Sequence, residues 1–89
     1  MRIKEGFVLR TLLGENIITG EYPKQVNFNK MVSLNGTAAY LWKAVDGKDF
    51  SVEDLKQLLL DEYDVDEATA AKDAAAIADK WKEIGLIDE

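Results

Sequence analysis

The 89-residue chain contains neither cysteine nor histidine. The first absence excludes disulfides and thiolate metal sites; the second removes the usual general base and the commonest metal ligand together. Serine occurs only at Ser33 and Ser51, neither has a histidine to activate it, and Ser51 already has a helix to cap. No glycine-rich phosphate loop is present. The apolar runs are far shorter than a membrane span, and the opening Met1-Arg2-Ile3-Lys4-Glu5 lacks the apolar stretch of a signal peptide. These absences lead to the expectation of a single cytoplasmic domain, residues 1–89, that holds no metal or cofactor, binds no membrane and is not an enzyme.

Charge is present but unevenly spread. Residues 1–34 carry five basic and three acidic side chains, whereas residues 35–89 carry six basic and fourteen acidic ones. The front is therefore +2 and the back −8.

The pattern of elements divides at the same place. Phe7-Val8-Leu9-Arg10-Thr11-Leu12-Leu13 is rich in strand formers, Gly14-Glu15 signals a turn, and Asn16-Ile17-Ile18-Thr19 reads as a second strand, giving a hairpin. Gly20 to Lys30 holds the only proline, Pro23, and reads as a loop, with a short strand possible where Val26 and Phe28 alternate. Met31-Val32-Ser33-Leu34 is a third strand. Asn35 can cap a first helix from Gly36 to about Val45, with Ala38, Leu41, Trp42 and Val45 at helical spacing and a stop at Asp46-Gly47. Ser51-Val52-Glu53-Asp54 resembles a capping box and opens a second helix that carries Val52, Leu55, Leu58 and Leu59 inward and ends near Tyr63. Asp66 can cap a third, which runs to Ile84 before Gly85 closes it and Leu86 folds back. The order is βββααα, an α+β domain.

Between Ala68 and Trp81 the third helix holds seven alanines in fourteen residues. On a helical wheel Ala70, Ala74, Ile77, Trp81 and Ile84 share one face, the expected core contact, and Ala71, Ala75 and Ala78, followed by Lys82, lie about a quarter turn away. Helix propensity alone could account for that second stripe. Longer polar helix formers would serve as well on a face that met only water, so the stripe can also be read as room for another backbone. Trp42 and Trp81 fit the core stripes and are taken as packing residues.

The runs FVLRTLLGENIITGE, NFNKMVSLNGTAAYLWKAVDG and SVEDLKQLLLDEYDVDEATAAKDAAAIADKWKEIGLI together resemble the PqqD-like family over nearly the whole chain. The most specific matches are the Leu34-Asn35 junction with Thr37 to Trp42, the Asp46-Gly47 stop, Tyr63 to Asp66, Asp73, and Gly85-Leu86. The sequence departs from the common pattern at Gly36, where an acidic residue is frequent and would favour the helix N-terminus. The resemblance implies a winged-helix-turn-helix-like fold and a particular use of it. Such proteins bind the leader part of a ribosomally made precursor peptide, which adds as a strand beside the third strand and third helix. They then hand it to a separate maturation enzyme, often a radical S-adenosylmethionine protein.

An exposed strand edge offers unpaired N–H and C=O groups that an added peptide strand would satisfy, so the residues make the same site plausible. The expected peptide-binding residues are Lys30, Met31, Val32, Ser33 and Leu34 on the strand side, and Ala71, Ala75, Ala78 and Lys82 on the helix side. Without peptide, the same edge could pair with a second copy, or exchange elements through the Gly20 to Lys30 loop, giving a homodimer. The alternative is a winged-helix protein-interaction or transcription-regulatory module with no part in peptide modification. Neighbouring reading frames would discriminate: a short precursor and a radical enzyme favour the first reading, a palindromic operator the second. The acidic run Asp61 to Glu67 is similar to a calcium loop but fails its spacing, with Glu67 where glycine is needed and Asp73 where the bidentate Glu belongs.

Nucleic acid is not an expected partner. The third helix, Asp66 to Glu83, has five acids against three lysines, and the −8 of the back segment opposes approach to phosphate. A mobility-shift titration at physiological salt is expected to show no specific duplex-DNA binding below micromolar protein, and a specific sub-micromolar shift would overturn this.

Overall fold

Two runs rich in strand formers produce the expected hairpin, with the turn at Leu13-Gly14 instead of the expected Gly14-Glu15. The computed structural model describes residues 1–20 and 31–88, in the order β1 (Arg2–Ile3), β2 (Phe7–Leu12), β3 (Glu15–Gly20), β4 (Met31–Leu34), α1 (Gly36–Val45), α2 (Val52–Glu62), α3 (Glu67–Ile84) and β5 (Ile87–Asp88). The Gly20 to Lys30 loop expectation, with its Val26 and Phe28, falls almost wholly outside the described residues; Gly20 itself closes β3. The third strand of the sequence reading is β4, with the same bounds. The two-residue strands β1 and β5 were not expected; they pair antiparallel, Arg2 with Asp88 and Ile3 with Ile87.

The main sheet is antiparallel in the order β2-β3-β4. Its register sets Leu9, Ile18 and Val32 in one row, and Asn16 opposite Leu34 in the next row on the same face. That face meets the core: Ile18 is fully buried, while Leu9, Val32 and Leu34 are partly buried against the same cluster. The helices cover it. Trp42 of α1 meets Trp81 of α3 edge to face at 5.3 Å between ring centroids, and Phe50, in the loop before α2, packs on Trp81 at 6.3 Å.

Local signals set the helix boundaries. The Asn35 side chain accepts from the Ala38 amide at 2.8 Å, Ser51 and Asp54 form both bonds of a capping box, and Gly85 ends α3 at a φ of +92°, a left-handed conformation that glycine adopts at little cost. Asp66 accepts from the Thr69 amide at 2.7 Å, which holds its carboxyl below the ordinary range. Glu67 accepts from Lys56 of α2 at 2.8 Å, which lowers its pKa likewise. Both acids are easier to ionise folded than unfolded. What they contribute is present at neutral pH and is lost as pH falls through and below the carboxylate range.

The hairpin turn departs from ordinary turn chemistry. Leu13 and Gly14 both have positive φ, +51° and +82°, and connect the paired Leu12 and Glu15, the geometry of a type I′ turn that favours Asn-Gly. Leucine is strained there, and its side chain lies wholly in solvent. Leu13→Asn should therefore stabilise the domain by about 1 kcal/mol, a rise of roughly 4–8 °C in melting temperature for a chain of this size. An unchanged or lower midpoint by circular dichroism would show that the turn is not strained.

Candidate functional site

β4 ends the order of the main sheet, paired with β3 on one side only among the described residues. Along it runs a groove of about 200 Å³. Val32, Ser33 and Leu34 form one wall, with Asn35 and Ala38 at the start of α1 closing one end. Ile77, Lys80, Trp81 and Ile84 of α3 form the other. The strand alternation points Val32 and Leu34 towards the core side, while Ser33 is exposed on the opposite face. Trp81 is almost completely buried, so its ring is a floor, whereas Ile77 and Ile84 are half-buried and Lys80 is exposed.

The groove brings together a different set of α3 residues from the expected wall. Ala78 has no exposed surface and belongs to the core with Ala70 and Ala74. Ala71, Ala75 and Lys82 are half-buried but lie on the other flank of the buried stripe from Ile77, Lys80 and Ile84. Glu67, in the first turn of α3, is held by Lys56 of α2, which ties the two helices together at that end. The physical reason is volume: Trp81 fills the centre of the helix face, and the alanines above it let the backbone of α3 approach the rest of the core. The wheel had assigned Ile77 and Ile84 to the core, and they are instead its border with the groove.

On the strand side, Met31 opens β4 opposite Thr19, and Ser33 and Leu34 pair with Ile17 and Asn16. Val32, Ser33 and Leu34 are brought to the groove; Lys30 lies outside the described residues. The signal for Ile77, Lys80 and Ile84 was present in the sequence as an i, i+3, i+7 stripe, and apolar weight alone drew its two isoleucines into the core.

Larger cavities lie elsewhere among the described residues. One of about 520 Å³ involves Arg2, Lys4, Asp46 and Asp88, and one of about 340 Å³ involves Lys48, Asp49, Phe50 and Asp61. Neither is lined by β4, so size ranks them above the groove and chemistry below it. Among the described residues no group of three acids is placed to hold a metal ion, and no helix is long and apolar enough to cross a membrane.

The fold has solved counterparts. TbiB1 in complex with the TbiA(beta) leader peptide superposes with a TM-score of 0.76 at 16% identity, covering 99% of this chain and 95% of that one. Lasso peptide synthetase B1 complexed with the leader peptide gives a TM-score of 0.71 at 26% identity, covering 96% and 93%. No curated protein sequence matches the chain. The sequence model of coenzyme PQQ synthesis protein D (PqqD) matches residues 9–87, nearly the whole of the domain just described, and the chain accordingly belongs to the PqqD family.

Proposed function

We propose that this protein binds the leader segment of a ribosomally made precursor peptide as a strand added to β4, and presents it to a separate modifying enzyme of the radical S-adenosylmethionine class. The observation that carries this reading is the coincidence of a sheet edge at β4 with a groove that α3 completes. Such an edge supplies main-chain hydrogen bonds to an extended peptide, and pockets beside it select alternate side chains. Family membership and the leader-bound state of both solved counterparts support the same use. In this reading the chain contributes recognition and the partner enzyme contributes chemistry.

The contacts divide by type. Met31 to Leu34 offer backbone groups, with Lys30 next to them in sequence. Ile77 and Ile84 offer apolar surface to the peptide's inward side chains, over the Trp81 floor. Such a short strand interface is small, and micromolar affinity, about −8 kcal/mol, is what it would support.

Calorimetry with the leader of a short precursor identified among the neighbouring reading frames tests the reading. Ile77→Arg should weaken binding at least tenfold by filling the groove, whereas Ala75→Arg, on the other flank of α3, should leave it within about twofold, with circular dichroism confirming that both variants fold. N-methylation of the peptide backbone should be harmful at alternate residues only, because only one parity of amide faces β4. Loss of affinity in the Ala75 variant alone, or indifference to N-methylation at every position, would reject the arrangement.

A further inference from the structure

Lys80 is the one charged residue among those that line the groove. Its neighbours at i−4 and i+4 are Ala76 and Ile84, and at i−3 Ile77; the facing strand presents Val32, Ser33 and Leu34. None of these is an acid. Glu83, at i+3, is the one carboxylate within helical reach on its own element, and among the described residues no ion pair joins it to Lys80. Arg2 and Lys56, by contrast, both carry acid partners. A solvated cation with no ion-pair partner among the described residues, on the rim of a groove in a segment with fourteen acids to six bases, is a specific complement for an anion brought by a partner.

We propose that Lys80 reads a single acidic side chain on the bound peptide, at an inward position flanked by apolar residues two places away on either side. The inference rests on the strand-addition reading above and adds to it a rule of sequence selection. Along α3 Ile77 lies about 4.5 Å before Lys80 and Ile84 about 6 Å after it, while inward side chains of an extended peptide recur about every 6.8 Å; the differences are within the reach of flexible side chains, so the order apolar, basic, apolar along the wall favours the same order at successive inward positions. The chain's net charge of −6 disfavours a long acidic tract, because only the acid within a Debye length of Lys80, about 8 Å in physiological salt, gains more than it loses. One acid in an apolar frame is the pattern that fits both the local cation and the overall field.

Panning a phage-displayed library of random 12-residue peptides on the full chain, and in parallel on Lys80→Glu, tests this. The wild-type pool should enrich one Asp or Glu between apolar residues at two places before and after it; the Lys80→Glu pool should lose the acid and gain Lys or Arg there. In the best wild-type peptide, made synthetically, Glu→Gln at that position should weaken binding about fivefold to wild type, the size of a partly exposed ion pair, and less than twofold to Lys80→Gln. Lys80 is exposed, so the variants should fold, and circular dichroism checks that they do. Acid enriched equally in both pools, or peptides that bind with alternate N-methyl sensitivity but no charge preference, would overturn the role of Lys80 while leaving strand addition standing. Enrichment of no peptide on either protein would overturn strand addition, and this inference with it.

Discussion

The contact between Trp81 and Trp42 fixes the position of α3, and the groove follows from that position. The two rings meet nearly at right angles, 81°, with Phe50 against Trp81 at the same inclination. Edge-to-face pairs of this kind contribute roughly 0.5–1.5 kcal/mol beyond the area they bury, and here they join α1, α3 and the loop before α2 at one point. Trp81 is at once a core residue and the floor of the groove. The depth of the groove is set by the same side chain that anchors the helix, so core packing and the groove share one determinant.

The alanines belong to the same arrangement. A helix carrying one indole on its inner face has to keep the neighbouring inner positions small if its axis is to stay close to the core, and Ala70, Ala74 and Ala78 are all fully buried. Close packing therefore accounts for three of the seven alanines in the segment. Lys56 and Glu67 tie α2 to the start of α3. Small side chains serve helix packing here, and the wall of the groove uses larger ones.

Much of the fold was legible because its signals are local. Asn35, Ser51 with Asp54, Asp66 and Gly85 each act within four residues, and each does in the structure what its residue type dictates. The β2-β3 hairpin was legible for the same reason. The β1-β5 ribbon was not: two residues at each end, more than 80 positions apart, have no periodicity to reveal them. Of the expected strand residues Val32, Ser33 and Leu34 line the groove, whereas on α3 the groove is lined from the flank opposite Ala71, Ala75 and Lys82. A wheel gives the angular order of residues and ranks them by hydropathy. It cannot weigh the volume of Trp81 against that of alanine, and that volume decides which residues are drawn in and which become the border.

The β1-β5 ribbon also bears on how such an element can be joined to other domains. With Arg2 opposite Asp88, a polypeptide continuing ahead of the ribbon and one continuing after it would leave the domain about one strand spacing apart, near 5 Å. The residues of the ribbon lie outside the groove lining. A domain with this geometry suits splicing into a surface loop of a larger enzyme as readily as end-to-end fusion, since the host loop would need to open by no more than the width of a hairpin.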